Sequence, residues 1–154
     1  VKLLFTYILL LLIILIPKNE VQDCELKFNP IGINSYIDSV AVDYGLDSEL
    51  INTIIMIESH WDTSAISHDK MDYGLMQVRI TTAKGYFPSI SKEELLNPYI
   101  NVMIGAMHLQ WLGTVFNKKS YMIVAYNVGH GAALKIKHPK QMSYYVKYNK
   151  AKES

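Results

Sequence analysis

Apolar positions fall into three regimes along the chain. Residues 3–16 are an almost unbroken apolar run behind Lys2, interrupted only by Thr6 and Tyr7 and closed by Pro17-Lys18-Asn19-Glu20. A basic residue ahead of so short a run suits the hydrophobic region of an export signal better than a full membrane span, which needs about 20 residues. Residues 18–32 read as a linker, with Pro30 and Gly32 as breakers. From Asn34 onward the apolar residues recur at helical spacing.

Tyr36, Ile37, Val40, Ala41 and Tyr44 predict a first amphipathic helix, stopped by Gly45. Asp47 is placed to cap a second, with Glu49 in the first turn, where the helix dipole favours an acid. Residues 62–80 show no sustained period and read as a loop with short strands. Thr81 or Thr82 starts a short helix ending at Gly85. Ser91-Lys92-Glu93-Glu94 is a capping box, and Asn97-Pro98 opens a long helix with proline where its missing N–H costs nothing. Its buried stripe is expected to be Ile100, Met103, Ile104, Met107, Trp111 and Val115. A further helix runs from about Ser120 to Tyr126, broken by Gly129 and Gly131, and Ser143 caps a last tyrosine-rich helix. There is no internal repeat. The expected fold is mainly α: one domain over residues 33–154 with an irregular or small β-containing insert, preceded by an apolar export or anchor segment at residues 1–17.

Composition narrows the partners. Of 154 residues, Lys and Arg exceed Asp and Glu by one, and the charges are dispersed. Nucleic-acid binders normally show a clustered basic face, so none is expected here. Lys135 to Lys140 is basic and reads as solvated surface. The single cysteine, Cys24, cannot form an intramolecular disulfide. His60 and His68 share a loop without metal-ligand spacing, so no metal and no cofactor is expected. Eleven tyrosines and two tryptophans serve equally for core packing or sugar stacking.

One position breaks the pattern chemically. In the second helix the apolar stripe is Ile51, Ile54 and Ile55, and the next position on it is Glu58. Burial disfavours an ionised carboxylate, and so does the negative end of a helix dipole. Both effects raise its pKa, as general-acid cleavage of a glycosidic bond requires. The competing reading is a helix-end glutamate that swings into solvent, and periodicity alone does not separate the two.

Glu58-Ser59-His60-Trp61 resembles the Glu-Ser-x-aromatic motif of the soluble lytic transglycosylases, lysozyme-like enzymes that cut peptidoglycan glycan strands. Tyr73-Gly74-Leu75-Met76-Gln77 resembles their Gly-Leu-Met-Gln motif, followed by Thr82-Ala83 at the family spacing. Asn97-Pro98, Asn101 and Gly105 are similar to the helix that comes next. Ala125-Tyr126-Asn127-Val128-Gly129 resembles the Ala-Tyr-Asn motif, and Tyr145-Val146 the closing Tyr-Val. The motifs stand in family order over about residues 46–147. The resemblance implies that Glu58 protonates the oxygen between N-acetylmuramic acid and N-acetylglucosamine, then takes a proton from the muramyl C6 hydroxyl as a 1,6-anhydro ring closes. It also implies that Ser59, Gly74, Met76, Gln77, Tyr126 and Asn127 bind or position substrate.

Departures from the family pattern are Met71-Asp72-Tyr73 in place of Gly-Ala-x, Arg79-Ile80 in place of Met-Pro, His130 in place of a proline, and Gln141-Met142 in place of Glu-Thr. The Asp-Tyr-Gly-Leu-Met-Gln form is similar to specialised members that accompany secretion systems and pili. Two alternatives stay open: a lysozyme-type hydrolase in which Asp69 or Asp72 activates water, and a catalytically silent wall-binding scaffold. The expected partner is peptidoglycan, with an envelope-spanning complex in the specialised case. The expected state is a monomer, exported to the periplasm or cell envelope, with the N-terminal segment either cleaved or kept as an inner-membrane anchor.

Overall fold

The computed structural model describes residues 32–153. The export or anchor segment expected at residues 1–17, and nearly all of the 18–32 linker, lie outside the described residues. The order is α1 (Ile33–Asp43), α2 (Ser48–Ser59), β1 (Asp72–Tyr73), β2 (Val78–Arg79), α3 (Ile80–Tyr86), α4 (Lys92–Leu95), α5 (Pro98–Val115), α6 (Lys119–Val128), α7 (His130–Ala133), a 3-10 turn at Pro139–Gln141, and α8 (Ser143–Lys152). The mainly helical expectation with a small β insert holds for these residues. Among them, no helix is long and apolar enough to cross a membrane.

Local chemistry sets most boundaries. The Asp47 carboxylate accepts the Glu49 N–H at 3.0 Å and starts α2. Ser91 and Glu94 form the reciprocal capping box of α4. The Asn97 side chain accepts from Tyr99 and Ile100 ahead of Pro98. Three boundaries differ from the sequence reading. Helix α3 starts at Ile80, without a side-chain cap, and runs to Tyr86. Gly129, at φ +81, ends α6, but Gly131 sits inside α7 rather than in a second break. Ser143 is the first residue of α8 and makes no cap; the N-cap is Met142, whose side chain makes no capping hydrogen bond.

Helix α5 is the central element, packed against α1, α3, α4, α6 and β2. Its buried face corrects the predicted stripe. Asn101, Val102, Ile104, Gly105, Ala106, Leu109 and Leu112 are buried, whereas Trp111 and Val115 are exposed and Ile100, Met103 and Met107 are half-buried. A helix surrounded by neighbours carries apolar residues all round, so periodicity cannot choose its core face.

The hairpin between β1 and β2 pairs Asp72 with Arg79 and Tyr73 with Val78 in antiparallel register. Of the four residues between the strands, Leu75 and Met76 turn inward and are fully buried. A buried loop must satisfy its backbone polar groups inside the protein, and Asn101 of α5 does this. Its Oδ1 accepts the Met76 N–H at 2.8 Å, and its Nδ2 donates to the Tyr73 and Leu95 carbonyls at 2.7 and 2.8 Å. Gly74, at φ +70, passes so close that an added Cβ would stand 2.5 Å from Asn101 Nδ2 and 2.8 Å from the Leu95 carbonyl oxygen.

Candidate active site

Glu58 stands in the last turn of α2, whose isoleucines Ile51, Ile54 and Ile55 are fully buried. The helix stops one residue later. His60 and Trp61 both adopt left-handed backbone, at φ 53 and 68, and turn the chain away. The carboxylate faces a groove of about 400 Å³ lined by Ser67, Asp72, Gln77, Val78, Arg79, Thr82, His108 and the segment Tyr126–Gly129. It is therefore neither a core residue nor a side chain loose in solvent.

Helix α8, packed directly on α2, supplies the nearest partner. Tyr144 is buried and donates its hydroxyl to Glu58 Oε1 at 2.5 Å. Burial, then the Glu58 charge, push the Tyr144 pKa far up, so this phenol keeps its proton and acts as donor. The Glu58 pKa is raised above the ordinary glutamate value, first by burial. The Tyr144 hydrogen bond and the Lys147 charge pull it back in part, and Asp72 adds to the rise. Tyr126, on α6, is also held neutral, by burial and then by the charges of Glu58 and Asp72. Its hydroxyl donates to the Met76 carbonyl at 2.9 Å, locking the hairpin loop to α6.

Four of the seven expected site residues line this groove: Glu58, Gln77, Tyr126 and Asn127. Gln77 sits at φ 46 and spends its amide N–H groups on the Gly74 and Ala65 carbonyls, at 2.9 and 3.1 Å. Its amide oxygen keeps its capacity to accept, and the residue lines the groove. The other three are placed elsewhere. Ser59 is buried and returns its hydroxyl to the Ile55 carbonyl at 3.2 Å. Met76 fills the core against Gly105, where an added Cβ would collide with its sulfur. The close approach that Gly74 permits is to Asn101 and Leu95.

The two carboxylates weighed as water activators share one cation. Arg79 donates through Nε and Nη2 to both oxygens of Asp72, at 2.8 and 3.2 Å, and through Nη2 to Asp69 at 3.0 Å. Asp72 lines the groove, whereas Asp69 is exposed outside it and also accepts from Ser67.

Sequence reasoning missed Tyr144, Lys147 and His108. The closing motif pointed to Tyr145-Val146, but Tyr145 stacks on Tyr148 with ring centres 6.3 Å apart and Val146 is exposed. His108 lies between Trp111, stacked at 5.5 Å, and Tyr86, whose hydroxyl is 3.3 Å from Nδ1. Nothing in helical spacing distinguishes it from the half-buried residues beside it.

Residues 35–148 match the family model described as the Transglycosylase SLT domain. Similar curated proteins include the membrane-bound lytic murein transglycosylase C of Histophilus somni strain 2336, 37% identical over 117 residues, which cover 66% of this chain and 32% of that protein. The protein of the same name from Haemophilus influenzae strain PittEE is 33% identical over 143 residues, 82% of this chain and 38% of that one. The chain thus spans about a third of the length of these relatives. Among solved structures, an inactive mutant of the lytic transglycosylase Slt from Pseudomonas aeruginosa superposes with a TM-score of 0.61 at 23% identity, covering 85% of this chain and 23% of that one. A 70-kDa soluble lytic transglycosylase in complex with bulgecin A gives 0.63 at 22% identity, over 81% and 21%. At such identities these structures establish the shared fold.

Proposed function

The chain belongs to the transglycosylase SLT family, and from that premise we propose that it is a peptidoglycan lytic transglycosylase with Glu58 as its one acid/base. Glu58, protonated in its half-buried site, gives its proton to the oxygen joining N-acetylmuramic acid to N-acetylglucosamine as the bond from C1 breaks. The muramyl C6 hydroxyl oxygen then bonds to C1, and its proton passes to the Glu58 carboxylate. The product is a 1,6-anhydromuramyl end, and the enzyme recovers its starting protonation state.

The observation that carries this reading is the placement of Glu58: an acid with a raised pKa, fixed by Tyr144, at the wall of a polar groove. A hydrolase would need a second carboxylate free to take a proton from water. Asp72 is the one within the groove, and Arg79 engages both of its oxygens. That engagement favours the substrate's own hydroxyl as nucleophile. Tyr126, fixed on the Met76 carbonyl, and the free oxygen of Gln77 would orient the N-acetylated sugars beside Glu58. The names of the curated relatives support an envelope location. The resemblance of Asp72 to Gln77 to specialised members supports local wall remodelling around an envelope-spanning machine.

The test is digestion of purified peptidoglycan by the wild type and by Glu58→Gln, with mass spectrometry of the released muropeptides. Ends one water lighter than reducing muramic acid, absent with Glu58→Gln, are expected. Reducing ends would support the hydrolase instead, and release by Glu58→Gln at the wild-type rate would remove Glu58 from the role.

A further inference from the structure

The last carbonyls of α2 have no intrahelical partner, because His60 and Trp61 turn the backbone left-handed immediately beyond Ser59. One of them, the Ile57 carbonyl, accepts a hydrogen bond from Lys147 Nζ at 2.6 Å. Ile57 is the residue directly before Glu58. Lys147 lies three positions after Tyr144 on α8, the spacing that puts two side chains on one helix face. The same face of α8 therefore grips the end of α2 twice: Tyr144 holds the carboxylate and Lys147 the backbone next to it.

We propose that Lys147 is a positioning residue for Glu58: its ammonium, seated on the Ile57 carbonyl, fixes the acid-bearing turn to α8 and supplies the positive charge against which Glu58 releases its proton. The inference deepens the proposed function and rests on it. A cation at a helix C-terminus offsets the negative dipole end that otherwise disfavours an anion there. The charged and titratable groups acting on Glu58 come from three sides. Tyr144 and Lys147 belong to α8, Tyr126 to α6, and Asp72 to the hairpin. Both tyrosines stay neutral, and Asp72 is paired with Arg79. Lys147 thus brings the positive charge to this group, in keeping with its downward pull on the Glu58 pKa. Lys147 eases release of the Glu58 proton, while burial, which acts in the opposite direction, keeps the carboxylate basic enough to recover one from the C6 hydroxyl.

Three variants separate charge from capping. Lys147→Met removes both, Lys147→Gln keeps an N–H donor without charge, and Lys147→Arg keeps the charge. The readout is the pH profile of muropeptide release, with thermal melting alongside. Activity falls on the alkaline side as Glu58 loses its proton, and removing the cation moves that limb to higher pH. At a pH on the wild-type descending limb, activity relative to each enzyme's own maximum should rise roughly two- to five-fold in Lys147→Met and Lys147→Gln, the size of a cation's effect at a helix end. Lys147→Arg should retain the wild-type profile. An unmoved limb in both neutral variants, with only a lower melting temperature, would overturn the proposal and leave a plain cap. NMR titration of the Glu58 carboxyl in the same proteins gives an independent reading without substrate. An inactive wild type whose Glu58 midpoint still rises in Lys147→Met would count against the lytic reading and for the Lys147 assignment.

Discussion

Removing the Asn101 side chain should strip three buried backbone groups of their partner at once and cost the fold heavily. Asn101 is fully buried, and its amide satisfies three backbone groups of the hairpin loop and α4: the Met76 N–H and the Tyr73 and Leu95 carbonyls. Each buried group left unpaired costs about 1–3 kcal/mol. Three of them give a loss of at least about 3 kcal/mol, against a total stability of roughly 5–15 kcal/mol for a domain of this kind. Asn101→Ala leaves space that a water could enter, recovering part of the loss. Asn101→Leu fills the space and leaves all three groups dry, so it should be the more damaging variant. Urea unfolding followed by far-UV circular dichroism measures both. A loss below about 1 kcal/mol in Asn101→Leu, the scale of an ordinary surface change, would refute this triple role.

Three further outcomes follow from the site and its support. Tyr144→Phe deletes the hydroxyl that favours the Glu58 anion, so the alkaline limb of the pH–activity profile should move to higher pH; a move to lower pH would contradict the geometry. Glu58→Gln should raise the melting temperature at neutral and alkaline pH. The raised Glu58 pKa means that the folded state binds the proton more tightly than the unfolded chain, so the charged carboxylate costs stability as pH rises past the unfolded glutamate value; melts across pH should show the gain shrinking toward acid. Gly105→Ala places a methyl into the buried Met76 side chain and should cost about 1–3 kcal/mol by overpacking, read by the same urea titration.

Residues whose meaning is local were legible in the sequence. Asp47, Ser91 and Asn97 cap helices by bonding to N–H groups two or three residues away, so short spacing suffices to find them. Glu58 was visible because a carboxylate interrupts a run of isoleucines. Residues whose meaning depends on the far side of the fold were not. Tyr144 is one of several tyrosines in α8, and only the docking of α8 on α2 shows which one meets Glu58. The all-round apolar character of α5 hid its core face for the same reason. The loop from Gly74 to Gln77 was located correctly, but its letters divide between two tasks. Gln77 faces the groove, while Leu75 and Met76 anchor the loop beneath it. A motif matched as a string does not separate the residue that faces the groove from the one that holds the loop in place.

Digestion of peptidoglycan in heavy-oxygen water probes the single acid and the internal nucleophile together. With Glu58 acting alone beside an Asp72 engaged by Arg79, the new muramyl ends should be anhydro ends carrying no heavy oxygen. Heavy oxygen at muramyl C1, on reducing ends formed at the rate of cleavage, would show that water is the nucleophile and contradict the mechanism.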